Sequence, residues 1–495
     1  MSATLSAHLP ALQVVLPLIS APLCVLFRRN GITWFIALVV SWLSFGISIM
    51  LLEQVIANGP ISYLLGNWAA PWGIEYKVDL LSAWVLIIVS AIGSITMVFA
   101  PNSVNLEIPK DRIYLFYTMY LLTFTGLLGI TITGDAFNLF VFLEISSLSS
   151  YVLISLGAER NALTAALRYL ILGTVGATFY IIGVGLMYQM TGTLNMSDLA
   201  ARLPEVAETK TILVAIGFIT VGVGLKLGLF PVHVWLPNAY AYAPSVVTAF
   251  LAATATKVAV YVLIRIYFTV FGTKIFAALP IDEFLLILGL IAILSMSAVA
   301  IYQTNAKRLL AYSSVAQIGY MIIGISMVTA TGLTATILHL FNHAMIKSAL
   351  FLVLAAVFFR IKSVKIDDMA GLGKAMPYSM AAFVLAGFSL IGVPLTVGFV
   401  SKWYLILGAL EKGWWPVVVL ILASSLLAVI YIWKVVEVAY FKSRPEGAAA
   451  VSEVAPAMLI PIWVLVGANF YFGINTDLSV GTAMAAAKAL IGGAP

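Results

Sequence analysis

Seven ionisable side chains stand inside long apolar runs, Glu144, Lys226 and Lys257 far from any polar flank. Glu144 interrupts FNLFVFL and ISSLSSYVL, Lys226 precedes a proline-containing break, and Lys257 sits within ATATKVAVYVL. His339, His343 and Lys347 recur at i, i+4 and i+8, hence on one face of a helix. Lys402 follows a second break, in VGFVSKWYL. An ionisable group at the centre of a bilayer costs about 2.5 to 3.5 kcal/mol on insertion scales, so several in one chain require a reason.

The chemistry open to these residue types is proton transfer. Burial disfavours the charged form of an ammonium by up to about 3 to 5 pKa units. A carboxylate about 4 Å away returns on the order of 4 kcal/mol at an effective dielectric near 20. A glutamate moving toward or away from Lys226 would thus decide whether that lysine holds its proton. Histidine exchanges protons near neutral pH unaided. Glu144, Lys226, Lys257, His343 and Lys402, with His339 and Lys347 on the same helix face as His343, therefore predict a relay in the membrane plane, its gaps bridged by water. The alternatives are structural salt bridges and ordinary hydrogen-bonded core histidines.

Two histidines one turn apart also suit a metal. Lys347, one turn further on, adds a positive charge there, and no carboxylate or cysteine stands beside them. Cys24 is the only cysteine, which is too few for an iron–sulfur cluster or a structural zinc site. Neither metal nor cofactor is expected. Asp135, beside Gly134 at a span start, reads as a helix cap. Lys307 and Arg308 read as topology-setting charges, and Lys434 with Glu437, near a span end, as snorkelling or structurally paired.

The elements that must position these groups are membrane helices. Of 495 residues, 62% are hydrophobic and only 9% charged, with a mean hydropathy of +1.09; a soluble domain would carry about 25% charged residues. A helix needs about 20 apolar residues to cross the hydrocarbon core, and hydropathy places about 14 spans along the chain, the first read as a retained anchor. The runs are long and unbroken, unlike the alternating segments of about 10 residues in a β-barrel. The fold expected is an all-α polytopic membrane protein. The net charge of +6 follows from basic residues in short loops. With the N-terminus outside, about 13 of them face inward against roughly 6 outward, which places both termini outside the cytoplasm of a prokaryotic cell membrane.

An internal repeat organises the spans. At an offset of roughly 170 residues, FVFLEISSLSSYVLI (140–154) lies over LLAYSSVAQIGYMII (309–323), and 167–188 over 338–359. The unit holds five spans, an odd number, so the second copy enters the membrane inverted. The resulting division is 1–112 for the first three helices, 113–271 for the first five-helix repeat, 282–442 for the second, and 454–495 for a last helix and tail. Two spans are broken, one around Pro231 and Pro237, the other around Gly392 and Pro394. Proline removes a donor and clashes with the preceding turn, and carbonyls freed in a bilayer need protein or water to satisfy them. Breaks at comparable places in two repeats predict a paired site near the midplane.

The segments FLEISSLSSYVLISLG, GLKLGLFPVHVWLPNAYAYAPS, AYSSVAQIGYM, HLFNHAMIKSALFL and GFSLIGVPLTVGFVSKWYL together resemble the antiporter-like subunits shared by respiratory complex I and the Mrp multisubunit Na+/H+ antiporters, most of all the D-type Mrp component. They cover residues 140 to 404 in the family's order. The resemblance implies 14 helices, discontinuous seventh and twelfth helices, and a proton path through a polar central axis. By position, Glu144 and Lys226 match the family's glutamate–lysine pair, Lys257 its central lysine, His343 its bridging histidine and Lys402 its terminal ionisable group. That last position is a glutamate in one complex I relative, so a lysine here argues against that subunit. The chain also ends soon after its fourteenth span, without the long lateral helix of the largest members. The implied function is proton translocation within a hetero-oligomeric cation/proton antiporter complex in the lipid bilayer, moving protons and Na+, with no nucleic acid partner. The alternative is a proton-pumping subunit of complex I or a membrane-bound hydrogenase, with electrons flowing in partner subunits.

Overall fold

The structure is a computed structural model describing residues 6–447 and 450–492. The outermost residues of the expected first and last segments, 1–5 and 493–495, lie outside the described residues. The spans are α1 (Leu9–Phe27), α2 (Asn30–Asn58), α3 (Leu80–Glu107), α4 (Ile113–Ile132), α5 (Ala136–Ser155), α6 (Arg160–Thr191), the halves α7 (Lys210–Leu227) and α8 (Leu236–Tyr242), and α9 (Ser245–Ile264) with its π-helical end Arg265–Val270. They continue as α10 (Ile281–Ile301), α11 (Ala306–Ser326), α12 (Ala330–Ile361), the halves α13 (Pro377–Ile391) and α14 (Val397–Glu411), α15 (Trp415–Phe441) and α16 (Pro456–Ile474). Among the described residues 13 helices are long and apolar enough to cross a membrane, and α13 with α14 supplies the broken crossing that completes 14. Helices dominate because a bilayer offers no other partner for backbone groups.

Three features differ from a plain bundle. Residues Ile61–Leu64 and Glu75–Val78 form an antiparallel hairpin, β1 and β2, between α2 and α3. The polar stretch near 191 to 210 holds a short helix, Met196–Arg202, capped by the Asn195 side chain. The expected C-terminal tail is a further helix, α17 (Asp477–Ile491), packed on α12 and α3.

The repeat is visible in backbone bonds. Ala136 N–H donates to Leu194 O and Met196 N–H to Gly134 O, each at 2.8 Å; Ala306 N–H donates to Val364 O at 2.8 Å and Ile366 N–H to Thr304 O at 2.9 Å. Equivalent residues, such as 136 and 306 or 194 and 364, stand 170 positions apart. The cap is equivalent too: the Asp135 carboxylate accepts from Asn138 N–H at 2.6 Å, as the Asn305 side chain does from Arg308 N–H at 3.1 Å. Five crossings separate the two motifs, so they face opposite sides of the membrane and the repeats are inverted. A cavity lined by Gly59, Asp79, Gly134, Ser197, Thr269 and Ala489 brings alternate span ends to one face, as strict alternation requires.

The two breaks are built on glycines. Gly228 caps α7 at φ +73° and Gly392 caps α13 at φ +93°, left-handed conformations that glycine adopts without steric cost. Pro231 and Pro394 lie in the non-helical stretches that follow. Pro237, expected to break its helix, instead occupies the first turn of α8, where no backbone donor is needed and proline is favoured. In the second break, a Cβ on Gly398 would stand 1.7 Å from the Ser389 carbonyl oxygen, so α14 passes α13 at backbone contact. Gly398→Ala is therefore expected to lower the thermal midpoint of the purified assembly through overpacking of about 1–3 kcal/mol or more, whereas Pro237→Ala leaves it nearly unchanged.

Candidate functional site

The line begins at the surface of the first repeat. Lys226, in the last turn of α7, points to α5, its ammonium 3.3 Å from Glu144 Oε1 and 2.7 Å from Ser147 Oγ. The Lys226 side chain is 5% accessible and that of Glu144 23%, so the acid opens on the flank of the chain and the lysine lies within. Behind Lys226 a small cavity of about 20 Å³ is lined by Ser146, Ser147 and Ser150 and by Ala255, Val258 and Ala259 of α9. That is room for one water, with polar partners around it.

Lys257 stands on α9 between Ala255 and Val258. It is almost wholly buried, donating to Ala252 O at 2.5 Å and lying 3.4 Å from Thr256 Oγ1. Neighbouring α12 carries His339, His343 and Lys347 on one face. The imidazole rings of His339 and His343 lie parallel, their centroids 5.6 Å apart. His343 is fully buried, and neither ring nitrogen has a hydrogen-bond partner among the described residues. A buried polar group without a partner is rare and demands a water or a functional reason. Lys347 turns to α11, donating to Leu310 O at 2.8 Å and Ser313 Oγ at 2.5 Å.

His339 is clamped from both sides, Nε2 lying 3.0 Å from Gln317 Oε1 and Nδ1 2.8 Å from Ser401 Oγ. An amide oxygen only accepts, so Nε2 carries a proton and a neutral ring takes the Ser401 hydroxyl proton at Nδ1. A protonated ring would donate to Ser401 instead, and that hydroxyl has a second acceptor in Gly398 O at 3.3 Å. One hydroxyl rotation thus serves both states of the ring.

The far end is Lys402 on α14. Its ammonium donates to Leu390 O at 3.2 Å, Ile391 O at 2.7 Å and Ser425 Oγ at 3.0 Å. Two of those acceptors are carbonyls at the end of α13 freed by the break, so the buried cation and the orphan carbonyls satisfy one another. Lys402 also lies 5.1 Å from the centroid of the Tyr320 ring, which meets His339 edge-on at 5.9 Å. In the first break the comparable service falls to Trp235, whose indole donates to Leu225 O at 2.8 Å.

The structure pairs Glu144 with Lys226, sets Lys257 on α9 packed against α12 with its stacked His339 and His343, brings Lys402 near His339 through Tyr320, and turns Lys347 aside to α11. Gln317, Tyr320, Ser147 and Ser401 are not among the residues singled out from sequence. Gln317 was visible as an amide just ahead of the apolar run IGYMII, and Ser401 by its place beside Lys402. Lys307, read as a topology charge, is buried and donates to Ala243 O at 3.2 Å and Ser245 Oγ at 3.0 Å. Lys434 caps α10 through Ile301 O and Gln303 O, each at 2.9 Å, a structural role.

A fold of two inverted repeats with broken helices and a buried ionisable axis defines an antiporter-like membrane subunit. The family model for the transmembrane part of the NADH:quinone oxidoreductase/Mrp antiporter proteins matches residues 133–428, and the chain belongs to that family. It is 42% identical over 480 residues to the N-type subunit of NADH-quinone oxidoreductase of Desulforudis audaxviator, covering 93% of this chain and 94% of the other. It is 32% identical to the D-type subunit of the Na(+)/H(+) antiporter of Alkalihalophilus pseudofirmus, over 87% and 86% of the two chains. Among solved structures, a chain of the membrane-bound sulfane sulfur reductase, an archaeal respiratory membrane complex, superimposes with a TM-score of 0.90 at 28% identity over 98% of each chain.

Ser401→Ala leaves a buried ring nitrogen of His339 unpaired. It is expected to destabilise the purified protein by about 1–3 kcal/mol, read as a lowered thermal midpoint, and Ser401→Thr should restore it.

Proposed function

We propose that the chain is the proton-translocating subunit of a hetero-oligomeric membrane complex in a prokaryotic cell membrane, its termini and hairpin outside, and that protons pass between Glu144 and Lys402 by way of Lys226, Lys257, His343 and His339. The observation that carries this reading is His343: a fully buried imidazole with both nitrogens unpartnered among the described residues, on α12, which packs against α9 with Lys257 and α14 with Lys402, neither lysine having an ion-pair partner there. Water on either side would satisfy such a ring, which can take a proton from one neighbour and give it to the other.

Two features support a neighbouring subunit. Glu144 is partly open on an apolar flank, and Leu395 in the second break is 64% exposed at φ +73°. Lipid satisfies neither a carboxylate nor an irregular backbone, whereas a neighbouring protein can.

Two couplings drive such a relay. Exchange against a monovalent cation such as Na+ is supported by the relative named as an antiporter subunit. Electron transfer in partner subunits is supported by the 42% identical relative named as a subunit of NADH-quinone oxidoreductase and by the likeness to a respiratory reductase complex. The chain's one cysteine leaves any iron–sulfur chemistry of the second coupling to partner subunits. Lys226→Ala in the assembled complex, reconstituted in vesicles, is expected to lower driven proton movement by about tenfold or more with assembly intact; undiminished movement rejects the relay. Driving the parent complex once with a Na+ gradient and once with reductant and quinone tells the two couplings apart.

A further inference from the structure

A second set of polar groups leads away from Lys257 toward the hairpin face. Lys257, Tyr261 and Arg265 stand at i, i+4 and i+8 on α9 and its π-helical end, one face of the helix running from mid-membrane to the surface. The Tyr261 hydroxyl donates to Thr131 O at 2.7 Å and accepts from Arg265 Nε at 3.0 Å. Arg265 Nη1 reaches Thr269 Oγ1 at 3.3 Å, and Nη2 forms an ion pair with Asp79. Asp79 is itself fixed as the N-cap of α3, in a reciprocal capping box with Ser82. Burial alone would push the Asp79 carboxyl up, but the Arg265 guanidinium and the Ser82 bonds hold it below its usual value, so it stays ionised.

Asp79, Tyr261, Arg265 and Thr269 line a cavity of about 570 Å³ between the hairpin, the end of α9 and α17. Lys77 and Ser197 stand in the same wall, hydrogen-bonded at 3.0 Å. The cavity reaches Tyr261, one helical turn from Lys257, and stops there. A fixed guanidinium at the inner end of the cavity raises an electrostatic barrier to protons and cations. The π-helical turn that carries Arg265 is a geometry frequently found at functional places in helices.

We propose that Arg265, anchored by Asp79, is the electrostatic gate of a side passage connecting the hairpin-face cavity to Lys257. With the guanidinium seated, a hydrated proton in the cavity is repelled before it reaches the lysine. With it displaced, a proton from a cavity water can bind neutral Lys257, forming its ammonium and leaving hydroxide to the aqueous side; the reverse transfer releases it. Arg265 and Asp79 are positioning residues, and the gate rests on the relay proposed above.

The test uses the assembled complex in sealed vesicles with no driving gradient or reductant, following internal pH after an imposed pH step. Arg265→Gln is expected to raise the passive proton leak several-fold, and Arg265→Lys to stay near the parent. Adding Ala489→Cys in the wall of the cavity, with Cys24→Ser to remove the native thiol, allows a bulky cationic thiol reagent to plug the passage from the hairpin face. The reagent should return the Arg265→Gln leak to the parent value only in complexes that also carry the Ala489→Cys substitution. A tight Arg265→Gln complex, or a leak the plug does not stop, overturns the gate. Should Arg265→Gln fail to assemble, Asp79→Asn keeps a capping oxygen but loses the anion, and it too is expected to leak; its tightness is equally fatal. Failure of the relay itself would show separately, as driven transport undisturbed by Lys226→Ala.

Discussion

The structure depends on one constraint: inside a bilayer each polar group must find its partner within protein or trapped water. At the second break this becomes a mutual arrangement. The end of α13 leaves carbonyls at Leu390 and Ile391, and the Lys402 ammonium takes both. Gly392 makes this possible, since a Cβ there would crowd the Lys402 side chain at 3.0 Å. The broken helix and the buried cation are thus two halves of one solution. Neither would be stable alone.

The first repeat solves the same problem differently, and the difference gives the line its direction. There the indole of Trp235 takes the freed Leu225 carbonyl, which leaves Lys226 to face Glu144. One end of the axis is therefore a lysine paired with a carboxylate, and the other a lysine held by backbone dipoles. Between them α12, 32 residues long and unbroken, sets its two parallel imidazoles where the repeats meet. Two copies of one architecture, inverted, have become a polar axis with chemically distinct ends.

Much of this was legible in the sequence. Fourteen crossings follow from hydropathy alone, and the offset of 170 is the structure's own. Glu144, Lys226, Lys257 and Lys402 announced themselves because a charge in an apolar run is costly. What stayed hidden was pairing. Gln317 and Ser401 are ordinary polar residues until the fold places them on opposite sides of His339. Lys307 looked like a loop charge because it sits one residue inside α11, yet tertiary packing buries it against Ser245. The hairpin leaves little trace in the sequence because its strands are four residues long, held by bonds to distant groups such as Gly134 N–H to Glu75 O. Pro237 opens α8 instead of breaking it, because proline suits the first turn of a helix.

The charges along the axis also restrain one another. Two unit charges about 8 Å apart repel by about 2 kcal/mol at an effective dielectric near 20. A second proton entering such a line is opposed by the first, so occupancy at one site changes the affinity of its neighbours. Among the described residues, Glu144 is the one carboxylate in an ion pair with a member of the line. Compensating charge therefore enters at a single end. Any event that draws Glu144 from Lys226 leaves that buried ammonium without its carboxylate.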